Sequence, residues 1–258
     1  MNKVLVADHP GGVRLLTMND PDDGNALTDE LVQRLRSEID AAAADPAVRA
    51  VVLAGAGRAF CVGADLGELA ASLDHEGGPE IYWRPRLEAL AALIVGNVSA
   101  PIPLICALDG QAAGSGMALA LSCDIRVASD RAVFNPAYGS LGSSTDAGLV
   151  WLLAQLTGRA VAAKLLLEQP IVRTPAALAL GLVTDVVRAD DLLQTSLRIA
   201  ASVGSGAPHA LRSAKKLLAT ATTMPLSEHI RIEHHEFLRG FGTDGMVREL
   251  RARGTSGA

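Results

Sequence analysis

A glycine-rich turn, Gly114-Ser115-Gly116, is the stretch of this sequence best suited to chemistry. It follows an apolar run that ends at Leu108 and precedes a helical pattern at 117–121. This order predicts a helix N-terminus, where unpaired backbone N–H groups and the positive end of the helix dipole favour negative charge. The alternative, commoner for an isolated G-x-G, is a tight connection whose glycines only allow close packing.

A second glycine-rich turn, at 55–66, contains Arg58 and Ala64 and follows the apolar run 48–54. That run is nearly continuous, which is typical of a strand buried on both faces of a parallel sheet. Because the carboxyl ends of parallel strands meet at one edge of a sheet, we expect the two turns to face one another.

The other elements predict an α/β fold. Apolar runs at 4–7 and 13–18 predict a β-hairpin, and Thr28 is a good N-cap for a helix with an apolar face behind it. Beyond Arg173 the pattern is mostly helical, so we expect this third of the chain to wrap the core or a neighbouring subunit.

Composition narrows the class of protein. The net charge is −5 and the basic residues are scattered, which argues against nucleic-acid binding. No run reaches the roughly 18 apolar residues of a membrane span, and no signal-peptide pattern begins the sequence. Three cysteines without metal-type spacing predict free buried thiols in a reducing compartment. We therefore expect a soluble cytoplasmic protein.

Four segments together resemble the crotonase superfamily, also called the enoyl-CoA hydratase/isomerase family. The segments are GVRLLTMNDPDDGNALTDEL, VRAVVLAGAGRAFCVGADLGEL, ALDGQAAGSGMALALSCDIRVAS and FNPAYGSLGSSTDAGLVWLLAQLTGR. The resemblance implies an α/β core of repeated ββα units, at 1–200, and a helical C-terminal trimerisation region, at 201–258. It also implies an acyl-CoA thioester substrate, a homotrimer or dimer of trimers, and no metal or redox cofactor beyond the CoA of the substrate.

The resemblance implies that both glycine-rich turns bind the same substrate atom. In this family two backbone N–H groups hold the thioester oxygen, where negative charge builds as an enolate forms. Carried over, the donors are Ala64 and Ser115, with Gly114 beside the substrate. Most relatives have glycine at the position of Ser115; serine keeps the backbone donor but adds a side chain that narrows the pocket.

The same resemblance places the CoA moiety along Asn25, Ala26 and Leu27, and near Arg58, Ala59 and Phe60. The guanidinium of Arg58 suits the phosphates of CoA, because it can pair with them in a fork. A solvated arginine in a turn is the alternative.

The sequence departs from the hydratase pattern. Hydratases of this family activate a water molecule with two glutamates, and the matching positions are Ala118 and Tyr138. Neither residue is a carboxylate base, so water addition by that route is not expected.

Asp146 is the carboxylate that remains near the predicted site. It matches the catalytic aspartate of single-aspartate isomerases and of aryl-CoA dehalogenases. The alternative is an N-cap for a helix starting at Ala147. A single carboxylate suits proton shuttling, so we expect an enoyl-CoA isomerase in which Asp146 removes and returns a proton.

Three other functions stay open at this point: an enoyl-CoA hydratase with a different arrangement, a catalytically silent CoA-binding paralogue, and an aryl-CoA dehalogenase. In the last, Tyr138 would contact an aromatic acyl group, although a packing tyrosine is equally consistent. His229, Glu233, His234, His235 and Glu236 cluster on a C-terminal helix, but their spacing does not favour a metal site.

Overall fold

Residues 2–254, which the computed structural model describes, form ten strands and ten α-helices. The strands are β1 (Val4–His9), β2 (Val13–Met18), β3 (Ala50–Gly55), β4 (Ala59–Cys61), β5 (Leu104–Leu108), β6 (Gln111–Ala113), β7 (Ile125–Ser129), β8 (Val133–Asn135), β9 (Val172–Arg173) and β10 (Asp185–Val187). The helices are α1 (Asp29–Ala44), α2 (Leu66–Ala71), α3 (Pro79–Ser99), α4 (Ser115–Leu121), α5 (Leu149–Glu168), α6 (Thr174–Ala179), α7 (Leu192–Gly204), α8 (Pro208–Thr220), α9 (Leu226–Gly240) and α10 (Asp244–Gly254).

Two sheets form the centre of the molecule. The larger has six strands in the order β1-β2-β3-β5-β7-β10, parallel except for the β1–β2 hairpin. The smaller has four strands in the order β4-β6-β8-β9, of which only the β8–β9 pair is antiparallel. The parallel arrangement brings the chain segments that follow β3 and β5 to the same edge, as the sequence predicted.

A ββα pattern repeats along the chain. Each of the strands β3, β5 and β7 of the larger sheet is followed by a strand of the smaller sheet and then by a helix. The predicted α/β fold of repeated ββα units is thus confirmed. The sequence did not reveal β4 and β6, because strands of three residues are too short to show a periodic pattern.

Apolar side chains cover both faces of the larger sheet. Val51 and Leu53 of β3 belong to the main core, whereas Ala50 and Val52 belong to a second cluster that includes residues of α7. All four are buried, which explains why β3 is a continuous apolar run rather than an alternating one.

The C-terminal helices are attached to this core by an ion pair in which the lysine is buried and the aspartate is partly exposed. Lys215 of α8 donates to the Asp124 carboxylate over 2.8 Å and to the Ile102 carbonyl over 3.1 Å. Asp124 also accepts a bond from the backbone N–H of Leu104, so its role is structural. Residues 200 and 201 lie within one helix, α7, and the division into a core and a trimerisation region stays a prediction.

Helix α5 is long and apolar enough to resemble a membrane span by length and composition. However, Gly158 within it has φ 75° and ψ 159°, which divides it into two segments of at most ten residues. A membrane span needs about 20 residues, so neither segment is long enough.

Candidate active site

The two glycine-rich turns pack directly against one another. Gly63 has φ +87°, and a Cβ at this position would lie 2.6 Å from the Ala113 carbonyl oxygen and 3.3 Å from the Ser115 nitrogen. Only glycine combines this backbone conformation with so close an approach. The turn that presents Ala64 therefore lies beside the turn that starts α4.

Both predicted donors are available at this junction. Ser115 is the first residue of α4, so its N–H has no acceptor within the helix. Within residues 2–254, neither the Ala64 N–H nor the Ser115 N–H donates to another backbone or side-chain group. Two free backbone donors close together are what an oxyanion requires.

Asp146 lies near these donors and is bound by Tyr138. The Tyr138 hydroxyl donates a short hydrogen bond to Asp146 Oδ1. Burial raises the pKa of the Asp146 carboxyl, and the bond from Tyr138 opposes that rise. Burial and the adjacent carboxylate raise the pKa of Tyr138. The tyrosine is therefore the proton donor of the pair, and the carboxylate is the stronger candidate for a base.

The interpretation of Asp146 as a helix cap is wrong. The N-cap of α5 is Gly148, and the helix begins at Leu149 rather than at Ala147. Ala147 itself has φ 50°, a left-handed conformation that costs about 1–2 kcal/mol for a residue with a Cβ. This local geometry leaves the Asp146 side chain free to bond Tyr138 instead of the first N–H groups of the helix.

A narrow cleft joins these groups. Its lining includes four residues that the sequence predicted, Leu27, Ala64, Ser115 and Asp146. The others are Asp29, Val32, Glu68, Trp83, Arg86, Leu87 and Leu90. Its internal volume is about 20 Å³, the room of one or two water molecules, so an acyl group must displace side chains to bind.

One wall of the cleft carries charged residues that the sequence did not predict. Arg86 of α3 lies between Glu68 and Asp29, with its Nε 3.3 Å from Glu68 Oε1 and its Nη2 3.2 Å from Asp29 Oδ2. Tyr82 donates to the same Glu68 oxygen over 2.6 Å, and this bond raises the pKa of Tyr82. Nothing in the sequence links these residues, because they come from three separate helices.

Asn25 and Phe60, predicted near CoA, are fully buried. The Asn25 amide donates to the carbonyls of Ala56, Ala59 and Phe60 at 2.8–3.2 Å. Its side chain therefore fixes the second glycine-rich turn and is not open to a ligand. The expectation that CoA lies along Asn25 and near Phe60 stays a prediction, in which these two residues would contribute backbone rather than side chain.

The other residues predicted to lie near CoA differ in their exposure to solvent. Ala26 and Ala59 are buried, whereas Arg58 is exposed beside them. Gly114 lies against Tyr138: a Cβ there would be 3.7 Å from the tyrosine ring. Contact of this segment with CoA stays a prediction.

The residues that the hydratase pattern would require are not carboxylates here, as predicted. Ala118 is completely buried in α4. Tyr138 is half-buried and bonded to Asp146 rather than positioned as an isolated aromatic contact.

His229 of the α9 cluster is held by contacts within the protein. His229 Nε2 lies 3.0 Å from the Leu217 carbonyl oxygen and its Nδ1 lies 3.3 Å from Glu233 Oε1, so both ring nitrogens contact groups of the protein. Asp65 accepts bonds from Gly67 and Glu68 as the N-cap of α2. His75, in the loop before α3, is exposed and packs on Tyr82.

The sequence is similar to known proteins over most of its length. The family model for enoyl-CoA hydratase/isomerase matches residues 8–250. A Mycobacterium tuberculosis protein named "Probable enoyl-CoA hydratase EchA14" is 38% identical over 227 residues, 88% of this chain and 84% of that one. The 1,2-epoxyphenylacetyl-CoA isomerase of Escherichia coli K12 is 32% identical over 252 residues, 95% of this chain and 93% of that one.

The fold is also similar to that of solved structures. A crystal structure of an enoyl-CoA hydratase from Bacillus anthracis superimposes with a TM-score of 0.91 at 26% identity, over 98% of this chain and 96% of that one. Hydratase names predominate among the similar proteins. The chain belongs to the enoyl-CoA hydratase/isomerase family, the crotonase superfamily.

Proposed function

We propose that the protein is an enoyl-CoA isomerase in which Asp146 transfers a proton between two carbons of the bound acyl group. The observation that carries this proposal is the position of Asp146 in the cleft that also contains Ala64 and Ser115. It is supported by the absence of a carboxylate at positions 118 and 138.

The backbone donors stabilise the intermediate. The N–H groups of Ala64 and Ser115 hold the thioester carbonyl oxygen. When the Asp146 carboxylate takes a proton from C2 of a 3-enoyl group, the electron pair moves onto that oxygen as an enolate. Fixed donors in a partly buried site favour this charge without having to reorganise.

The return step uses the same acid. The Asp146 carboxylic acid gives its proton to C4, the double bond moves to C2–C3, and the carboxylate is restored. No atom is gained or lost. Burial favours the uncharged acid, which makes the carboxylate a stronger base than a solvated aspartate.

Hydration is the second candidate, because hydratase names predominate among the relatives and a second carboxylate, Glu68, lines the cleft. One observation weighs against Glu68 as a base: its Oε1 already accepts from both Tyr82 and Arg86.

We propose in addition that the protein assembles into a homo-oligomer. Large apolar side chains are exposed on α8 and α9: Leu218 is 75% exposed, Leu226 74%, Phe237 62% and Leu238 64%. Such a surface is typical of a protein–protein interface, and it supports a homotrimer or a dimer of trimers formed through the C-terminal helices. Sedimentation equilibrium tests this: a monomer at micromolar concentration would contradict it.

A pair of absorbance assays tests the proposed reaction. Supplied with a 3-enoyl-CoA, the wild-type protein should generate the conjugated 2-enoyl thioester, and Asp146→Asn should lower the rate by at least about 10²-fold. Supplied with the 2-enoyl-CoA, it should not remove the conjugated absorbance by adding water. Rapid loss of that absorbance would favour hydration, and CoA binding without either reaction would favour a silent paralogue.

A further inference from the structure

The cleft in which we place the acyl group is lined by more carboxylates than cations. Among the described residues that line it are three carboxylates, Asp29, Glu68 and Asp146, and a single guanidinium, that of Arg86. The remaining lining is mostly apolar and includes Leu27, Val32, Trp83, Leu87 and Leu90.

Each of the three guanidinium nitrogens of Arg86 already contacts a group of the protein. Its Nε lies 3.3 Å from Glu68 Oε1, its Nη2 lies 3.2 Å from Asp29 Oδ2, and its Nη1 donates to the Tyr82 carbonyl over 2.9 Å. The Tyr82 ring covers one face of the guanidinium, with the Arg86 Cζ 3.7 Å from the ring centroid. The positive charge of Arg86 is therefore paired with carboxylates of the protein itself.

An anionic end of a substrate would find, in the described lining of this cleft, no cation that is not already paired with carboxylates. It would be removed from water into an apolar surrounding and would face carboxylates that outnumber the guanidinium. An apolar end would contact leucine, valine and tryptophan side chains and gain from their burial.

We propose that Glu68 and Asp29 act as specificity-determining residues that exclude acyl groups ending in a carboxylate, so that the cleft selects uncharged, apolar acyl groups. This inference rests on the proposed function, because it assumes that the acyl part of a CoA thioester occupies this cleft. Arg86 holds the two carboxylates in place rather than binding the substrate.

A matched pair of ligands tests the selectivity without any turnover. Hexanoyl-CoA and adipyl-CoA have acyl chains of the same length and differ at the far end, which is a methyl group in one and a carboxylate in the other. Isothermal titration calorimetry at low salt should give a dissociation constant at least about tenfold higher for adipyl-CoA. The difference should shrink at high salt, because screening weakens the repulsion.

Two single variants test whether Glu68 causes the difference in binding between the two thioesters. Glu68→Gln keeps an acceptor for Tyr82 and Arg86 while removing one negative charge, and it should narrow the ratio of the two dissociation constants to about threefold or less. The control is Glu80→Gln, which removes the same charge from an α3 side chain that is 81% exposed, pairs with Arg84 and lies outside the cleft lining. It should leave the ratio unchanged.

The outcomes separate the two proposals. Equal or tighter binding of adipyl-CoA overturns the selectivity inference alone. A ratio that is high but identical in Glu68→Gln and the wild type overturns the role of Glu68. Failure of both thioesters to bind overturns the proposed function and this inference with it.

Discussion

The Tyr138 hydroxyl donates a hydrogen bond to the carboxylate of Asp146. The tyrosine that the resemblance aligns with a hydratase glutamate thus contacts the carboxylate that we propose as the acid and base. This bond orients the Asp146 side chain and moderates the rise in its pKa that burial causes. Tyr138 is therefore a positioning residue, and its effect should be visible in the pH dependence of the reaction.

Tyr138→Phe should shift the acidic limb of the pH–rate profile to higher pH. A hydrogen bond to the charged form lowers the pKa of a carboxyl, so its loss raises the Asp146 pKa further, and the base form is reached only at higher pH. The profile of kcat/KM for 3-enoyl-CoA isomerisation measures this. Tyr82→Phe, which removes a hydroxyl that bonds Glu68 instead, is the control and should not shift the limb.

Gly63→Ala should disrupt the donor pair. The new Cβ would lie 2.6 Å from the Ala113 carbonyl oxygen and would also strain a backbone with φ +87°. We expect kcat to fall at least about 10²-fold, the effect of losing one oxyanion donor. Gly78→Ala is the matched control, since its φ is +84° but no atom lies within 4 Å of the added Cβ. Similar losses of kcat in both variants would contradict the oxyanion-hole assignment.

Asp146→Asn should stabilise the protein at neutral pH. The folded-state pKa of Asp146 is raised, so the folded state binds more protons than the unfolded state between the two pKa values. Wild-type stability from this group is therefore present at low pH and is lost as pH rises through the folded pKa. The Asn variant has no such loss. Thermal unfolding should show a higher Tm than wild type at pH 7, with the difference closing at acidic pH; the opposite trend would contradict the pKa shift.

The ion pair between Lys215 and Asp124 should anchor α8 to the sheet. Breaking a buried pair costs about 3–5 kcal/mol, and exposure of 30% at Asp124 reduces this, so Lys215→Met should lower the free energy of unfolding by about 2–3 kcal/mol. Chemical denaturation of Lys215→Met, Asp124→Asn and the double variant forms a double-mutant cycle. Strictly additive losses would show that the two side chains are not coupled.

The sequence predicted best where short patterns determine local structure. Thr28 is the N-cap of α1, as expected, and accepts a bond from the Leu31 N–H. The meeting of the two glycine-rich turns was predicted from parallel strand order alone, and Gly63 confirms it. The three cysteines are free and buried as predicted.

Tertiary contacts account for what was missed. The bonds of Tyr138 to Asp146 and of Arg86 to Asp29 depend on the direction of side chains that no periodic pattern encodes. Asn25 has the composition of a ligand-binding loop residue, yet its positive φ of 56° and its bonds to buried carbonyls make it part of the scaffold. Burial, which decides between these roles, is a property of the folded chain.

Proton exchange at the substrate tests the central claim most directly. In D₂O, deuterium enters whenever the protonated Asp146 carboxyl exchanges with solvent before it returns its proton. Over many reversible turnovers, the wild-type protein incubated with a 3-enoyl-CoA should therefore incorporate deuterium at C2 and C4, as followed by mass spectrometry and NMR. Asp146→Asn should bind the same thioester and lose at least about 10²-fold of the exchange rate. Undiminished exchange in Asp146→Asn would contradict the assignment of Asp146 as the acid and base.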